Sequence, residues 1–486
     1  MPHSAAAFVA PAPPPAPAEP LVIQGGLGAG VSDWRMARVV SAAGQLGVVS
    51  GTGIDTLLVR RLQNGDPGGH MRRAMAHFPI RGVAERVIER FFLPEGRREG
   101  QRYALLPMPD HRASVRRDRI TALANFVEVF LAREGHDRAV GINYLTKIQP
   151  PTLPSLYGAM LAGVSYVIMG AGIPREIPGA LDLLARHEAA SLKLEVVGGG
   201  DPTLLTLDPR ALWDGAEPPA LARPKFLAIV SSNLLATVLA RKASGRIDGF
   251  VVEGPTAGGH NAPPRGEMKL DGNGEPIYGV RDVVDLAELK ELGLPFWVAG
   301  GAGSPEALRA ALDAGATGVQ VGTLFAFCVE SGLDPDFRRG VLRDACEGHV
   351  RVRTDPRASP TGYPFKVIEA PSIPPLDDAR ERVCDLGYLR VAYRREDGSL
   401  GYRCSGEPVE QYVKKGGDAA DTVGRRCLCN TLLANIGLGQ LRQDGRVERP
   451  LLTSGDDLVR IAAFVKERDE YSAQDVLDYL LEPVTA

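Results

Sequence analysis

Short apolar runs, several of them ended by glycine, recur along the first two thirds of the chain and alternate with stretches of helical spacing. Leu21–Gln24 runs into Gly25-Gly26-Leu27-Gly28, and Leu46–Ser50 runs into Gly51. Runs of this kind, apolar without alternation, predict strands buried on both faces, as in a parallel sheet. Between these two, Trp34–Ala43 has helical spacing and stops at Gly44, a residue suited to a left-handed cap. Ile80–Phe92 places Ile80, Val83, Val87, Ile88 and Phe91 on one face, which predicts an amphipathic helix ending before Pro94. Further strands are predicted at Val140–Leu145, Tyr166–Met169, Phe226–Ser231, Phe250–Glu253, Pro295–Ala299 and Gly318–Val321, with helices through Leu181 and Leu184 and over Leu234–Arg241.

Eight strands, most followed by a helical pattern, predict an α/β fold: a closed (β/α)8 TIM barrel. Its spacing is uneven. Residues 52–138 and 186–225 are too long for ordinary connections, and Leu192–Gly199 (LKLEVVGG) is a ninth strand-like run assigned to an insertion. An open doubly wound sheet fits less well, because the first glycine cluster lacks the G-x-G-x-x-G spacing and an acidic residue about 20 positions on. Residues 1–20, rich in proline and alanine, form an expected disordered tail, residues 21–350 the barrel with insertions, and residues 351–486 a C-terminal extension packing on it.

Composition narrows the partners. The 486 residues exceed what a barrel of about 250 residues needs. Lys+Arg 56 against Asp+Glu 59 leaves a net charge of −3, so no basic field is available to recruit nucleic acid or a membrane surface. No run of about 18 apolar residues is present to span a bilayer. The start of the chain lacks the basic and apolar regions of a signal peptide. These features predict a soluble cytoplasmic protein acting on a small molecule.

The chemistry concentrates in two stretches. In Val251–Gly266 (VVEGPTAGGHNAPPRG) the strand ends at Glu253-Gly254, Gly258-Gly259 lets the backbone approach a ligand, and His260 follows at the C-terminal mouth of the strand. That is where a barrel presents an acid or base; a histidine that merely caps the turn is the alternative. Gly300-Gly301 is followed by Ser304-Pro305-Glu306, with Ser304 suited to an N-cap, Pro305 to the first helical position and Gly315 to the far end. Helix N–H groups opening just after two glycines make an anion site, and Gly322-Thr323, one strand later, adds an N–H and a hydroxyl. Barrels hold phosphate in the loops after strands seven and eight, which these are.

Six short motifs in order, IQGGLG (Ile23–Gly28), GIN (Gly141–Asn143), MGAGIP (Met169–Pro174), AGGH (Ala257–His260), AGG (Ala299–Gly301) and VGT (Val321–Thr323), give the chain its family likeness. Over about residues 20–345 it resembles the flavin-dependent nitronate monooxygenase family, formerly 2-nitropropane dioxygenase, whose fold is shared with flavin-type enoyl-acyl-carrier-protein reductases. The resemblance implies FMN in the barrel, with Gly26, Leu27 and Gly28 near the isoalloxazine and Gly300, Gly301, Gly322 and Thr323 at the phosphate. Asn143, Ser231 and Gly259 would be further flavin contacts, and His260 the catalytic histidine, able to move a proton near neutral pH without a large pKa shift. The leading expectation is oxidation of an alkyl nitronate with dioxygen. Reduction of an enoyl thioester by NAD(P)H and a non-catalytic flavin-binding partner in a biosynthetic assembly are the alternatives. Where relatives commonly have glycine soon after the histidine, this chain has Asn261-Ala262-Pro263-Pro264-Arg265, and the following hairpin-like KLDGNGEPIYG is expected to cover the pocket.

The extension begins with a Pro/Gly-rich link, PRASPTGYPFKV, and then places Cys384, Cys404, Cys427 and Cys429 within 46 residues. Cys328 and Cys346 lie upstream and read as small apolar residues. With one C-x-C pair and no C-x2-C, the four are read as core residues of a mainly α-helical cap, with a zinc or iron–sulfur site as the second reading. Asp456–Val465 and Ser472–Leu481 are predicted amphipathic helices, the second opening on the capping-box pattern Ser472-Ala473-Gln474-Asp475. They would dock on the barrel and narrow the pocket or build the interface of a homodimer.

Overall fold

The computed structural model describes residues 19–375, 381–466 and 468–482, so residues 1–18 of the expected tail lie outside the described residues. Its centre is an eight-stranded, all-parallel sheet: β1 (Val22–Gln24), β2 (Gly47–Ser50), β3 (Val140–Leu145), β4 (Tyr166–Gly170), β5 (Lys225–Val230), β6 (Gly249–Glu253), β7 (Phe296–Ala299) and β8 (Gly318–Val321). Neighbours follow chain order, and β1 pairs with β8 in the register Val22↔Val319. The ring closes between β1 and β2, where Leu46 N donates to Val22 O at 3.1 Å and Gln24 N to Leu46 O at 2.9 Å. Beyond that bridge the Gln24 side chain continues the ladder, its Oε1 accepting from Val48 N at 3.0 Å.

Alternate strand residues fill the interior. Ile23, Val48, Ile168, Leu227, Val251 and Trp297 form one buried cluster, while the opposite strand faces pack under the surrounding helices. Burial on both faces is the physical reason these strands read as unbroken apolar runs. Glu19 and Pro20, the last residues of the expected tail, are tied to the barrel: Tyr166 Oη donates to Glu19 at 2.8 Å and Trp297 Nε1 to Pro20 O at 2.7 Å.

The two long connections have structure of their own. The first holds helices Ile54–Gln63, His70–Met75, Val83–Phe91 and Val115–Arg133. In the second, Ala190–Leu194 pairs antiparallel with Thr203–Leu207, so the ninth strand-like run lies outside the barrel as expected. Val196–Val197 reaches across to pair parallel with Val391–Arg394 of the extension.

The extension, expected to be mainly α-helical, also contains strands. It carries two antiparallel hairpins, Arg351–Asp355 with Phe365–Glu369 and Val391–Arg394 with Leu400–Arg403, beside the helices Val409–Lys414, Leu428–Ala434, Ala462–Val465 and Ala473–Leu480. A period-two pattern only four or five residues long is a weak signal, which is why these strands went unread. The helix predicted over Asp456–Val465 breaks into a 3-10 turn, Asp456–Arg460, and one α-turn, Ala462–Val465. The second predicted helix forms with its capping box: Asp475 N donates to Ser472 Oγ at 3.1 Å and Ser472 N to Asp475 at 2.7 Å. No helix among the described residues is long and apolar enough to cross a membrane.

Candidate active site

A cavity of about 190 Å³ lies at the C-terminal ends of the barrel strands. Gly26, Leu27 and Gly28 after β1, Asn143 in β3, Gly259 and His260 after β6, Gly300 and Gly301 after β7, and Gly322 and Thr323 after β8 all line it. Ser231 does not. It lines a smaller pocket with Arg265 and Tyr278, and Glu253 lines both spaces.

The cradle is made of backbone because side chains would not fit. A Cβ on Gly26 would stand 2.0 Å from Asn143 Oδ1, and Gly300, at φ 90°, would bring one within 2.8 Å of Ala257 N. Asn143 Oδ1 itself is buried and has no hydrogen-bond partner among the described residues. An orphaned buried acceptor costs about 1–3 kcal/mol, so it marks a place made for a ligand N–H. The helix Pro305–Asp313 opens as predicted: Ser304 Oγ accepts from Ala307 N at 3.2 Å, and Gly301 before it has φ 68°. A planar ring system bearing N–H groups and one phosphate, as in FMN, suits this combination of glycine loops, orphan acceptor and helix start.

His260 is held by the extension. Lys366 N donates to Gly259 O and Asn261 N to Pro364 O, both at 2.9 Å, clamping the AGGH loop to the hairpin strand Phe365–Glu369. The imidazole stands edge-on to Phe365, ring centroids 4.9 Å apart, and to Tyr363 at 6.5 Å. Its Nε2 lies 2.7 Å from Ser359 Oγ, which lies 2.8 Å from Thr361 Oγ1. His260 lines the cavity and is half-buried, and burial pushes its pKa down to about 4. The expectation of a histidine titrating near neutrality is thereby corrected: the ring is neutral under ordinary conditions because burial penalises its charged form. Glu253, on the same wall, is pushed up to about 8 by burial and is protonated at neutral pH.

The sequence reading missed much of the cover. Phe365, Leu432, Asn435, Leu452, Ser454 and Asp457 line the cavity and all come from the extension. KLDGNGEPIYG does form a hairpin turn, with Ile277 N donating to Lys269 O at 2.9 Å, but none of its residues lines the cavity. Glu275 instead accepts from Thr354 N and Arg351, both at 2.7 Å, which docks that loop on the hairpin strand Arg351–Asp355. Past His260 the cavity adjoins an apolar annex walled by Ala29, Ile148, Leu389, Leu428 and Leu433. Thr52, Leu145, His260 and Leu432 border both spaces.

None of the six cysteines, all among the described residues, is in a disulfide. Burial first, then the Cys427 thiol nearby, pushes Cys384 up to about 12. Burial followed by the neighbouring thiols likewise raises Cys404 and Cys429, so the four cysteines form one cluster. No group of three or more His, Cys, Asp or Glu side chains among the described residues is arranged to hold a metal ion.

Residues 215–386 match the model of the family described as nitronate monooxygenase. The second half of the barrel, with its AGGH, AGG and VGT loops, therefore carries the signature that the motifs suggested. The nitronate monooxygenase of Pseudomonas aeruginosa is 32% identical over 134 residues, 27% of this chain and 36% of that protein. A probable nitronate monooxygenase of Bacillus subtilis is 34% identical over 108 residues, 22% of this chain and 29% of that protein. The chain thus spans about a third of the length of the curated relatives it matches. Among solved structures, FabK of Thermotoga maritima aligns over 95% of this chain and 92% of its own, at 16% identity and a TM-score of 0.46. A nitroalkane oxidase of Streptomyces ansochromogenes aligns over 95% and 94%, at 15% identity and a TM-score of 0.45.

Proposed function

We propose that this protein is an FMN-dependent oxidoreductase that oxidises an alkyl nitronate with dioxygen, giving a carbonyl compound and nitrite. The observation that carries the proposal is the meeting, in one cavity, of a glycine cradle, a buried acceptor without a partner at Asn143 and a neutral imidazole at His260. FMN is favoured over a dinucleotide because one phosphate grip is present and no second accompanies it. When bound, the flavin supplies the two-electron oxidation and the reaction with dioxygen.

The chain's own residues then have definite tasks. The loops at Gly300, Gly301, Gly322 and Thr323 hold the phosphate, and Gly26–Gly28 with Asn143 seat the ring. His260 faces the substrate as a neutral group. A base with a pKa of about 4 lies far from the operating pH and is poorly matched to taking a proton from a neutral nitroalkane. A nitronate arrives already deprotonated and needs only a hydrogen-bond donor, which neutral His260 and protonated Glu253 can both be.

Anaerobic mixing of the purified protein with propyl-1-nitronate, and separately with NADPH, tests the assignment through the visible flavin band. Bleaching by the nitronate alone is the expected result. Bleaching by NADPH would assign an enoyl reductase, and no bleaching by either would assign a flavin-binding partner without turnover.

A further inference from the structure

At the phosphate end of the cavity a five-residue segment of the extension, Thr453-Ser454-Gly455-Asp456-Asp457, is laced between loops of the barrel. Gly259 N donates to Thr453 Oγ1 at 3.0 Å and Asp456 N to Thr256 O at 3.0 Å, which fixes the segment to the histidine loop. Gly455 N donates to Thr323 Oγ1 at 3.1 Å and Ser454 Oγ to the same oxygen at 3.3 Å, which fixes it to the loop after β8. Lys366 Nζ pairs with Asp456 at 2.6 Å, and the Asp457 carboxylate accepts from Gly303 N beside the start of the helix Pro305–Asp313.

The two segments approach at backbone distance. A Cβ on Gly258 would stand 2.8 Å from Gly455 N, and one on Gly455 would stand 2.9 Å from Thr256 O and 3.0 Å from Thr323 Oγ1. Glycine is therefore required on both sides of this contact. Ser454, Gly455 and Asp457 line the same cavity as Gly300, Gly301, Gly322 and Thr323. The Thr323 hydroxyl, expected at the phosphate, thus accepts from Gly455 N, and the single Ser454 hydroxyl proton has two acceptors in reach, Gly455 O at 3.2 Å and Thr323 Oγ1 at 3.3 Å. Burial raises the pKa of the Asp457 carboxyl, while the Gly303 N–H it accepts from lowers it.

We infer that Thr453–Asp457 is the third wall of the phosphate site, so that the extension, and not the barrel alone, completes the binding of the cofactor. This rests on the FMN reading given above. Ser454 supplies a hydroxyl that can turn from Thr323 to a phosphate oxygen, and the Gly455 N–H holds Thr323 in place. A ligand touching both parts stabilises their docked arrangement, so flavin binding and docking of the extension are thermodynamically linked.

The test compares FMN with riboflavin, which has the same ring and no phosphate, on the full-length protein stripped of flavin and reloaded. Fluorescence quenching gives Kd for wild type, Ser454→Ala and Ser454→Asp. Wild type is expected to bind FMN more tightly than riboflavin. Ser454→Asp should weaken FMN by about a hundredfold, since a carboxylate beside a partly buried phosphate repels by a few kcal/mol, and leave riboflavin within about twofold. Ser454→Ala should weaken FMN by about three- to tenfold, the loss of one hydrogen bond. FMN affinities unchanged in both variants would overturn the inference while leaving the FMN reading intact. Equal losses for FMN and riboflavin would also overturn it, as a folding or docking defect without phosphate contact. A wild type that binds neither flavin would overturn the FMN reading itself.

Discussion

The floor and the roof of the cavity are built on different principles. Its floor is backbone: glycines after β1, β6, β7 and β8 bring peptide groups against a ligand, and their neighbours leave no room for a side chain at Gly26 or Gly300. Its roof is side chain: Phe365, Leu432, Asn435, Leu452 and Ser454 come from an extension remote in sequence and meet the barrel only after folding. A backbone floor fixes which chemistry the site can host, since peptide N–H groups recognise phosphate and flat rings whatever residues surround them. A side-chain roof sets what else enters, and it can change without disturbing the floor.

The strongest way to break the floor is to put charge on it. Gly301→Asp places a carboxylate beside the proposed phosphate, and like charges in a partly buried site repel by several kcal/mol. Purified Gly301→Asp protein is expected to be colourless, with no flavin absorbance; a full complement of flavin would mean the phosphate lies elsewhere.

His260 joins floor to roof, and His260→Asn should keep fold and flavin. Because a ring with a pKa of about 4 is a poor base at neutral pH, turnover of any neutral nitroalkane should fall by less than the roughly 10²–10⁴ that a well-matched general base contributes. On the preformed nitronate the loss should be about tenfold or less. Equal losses on both substrates, in parallel initial-rate assays, would show that His260 works by positioning alone.

The pH dependence sharpens the same point. With a pKa of about 4, His260 is neutral throughout the range above pH 5. Its protonation should therefore reduce kcat/KM for the nitronate only as pH falls towards 4, with no inflection from it near 6.5. The sign for stability is the same: its folded pKa lies below the unfolded value, so this contribution is full above about pH 6.5 and is lost as pH falls through 4. An inflection near 6.5 that disappears in His260→Asn would refute the enclosed ring.

The smallest effect is expected at the thiols. We propose that the cluster of Cys384, Cys404, Cys427 and Cys429 is reduced and metal-free, apart from the flavin chemistry. Dialysis against a chelator should then leave both Tm and flavin content unchanged. About one zinc, or several irons, per chain by elemental analysis would assign the second reading instead.

Much of the floor was legible in the sequence because the barrel's physics writes it there. Strands buried on both faces need unbroken apolar runs, and turns that meet a ligand need glycine, so Ile23–Gly28, Ala257–His260 and Ala299–Gly301 stand out without any knowledge of contacts. The roof was illegible for a complementary reason. Leu432 sits in an ordinary-looking helix and Asn435 just past its end, and Ser454 and Gly455 in a turn-like stretch that nothing local connects to Thr323, 131 residues away in the case of Ser454. The lowered pKa of His260 was hidden in the same way, since Tyr363 and Phe365, which enclose it, lie about a hundred residues downstream. Ser231 shows the converse case: the family likeness implied a flavin contact there, but the residue lines the neighbouring pocket rather than the main cavity.

The three-stranded sheet of Val196–Val197, Val391–Arg394 and Leu400–Arg403 has a consequence for engineering. One of its strands belongs to the barrel insertion and two to the extension, so neither part is a self-contained module. Grafting the extension onto a barrel without the insertion would bare the edge of Val391–Arg394, and exposed strand edges pair with other chains. Such chimaeras should self-associate unless Val196–Val197 and its flanking hairpin are transplanted together with the roof.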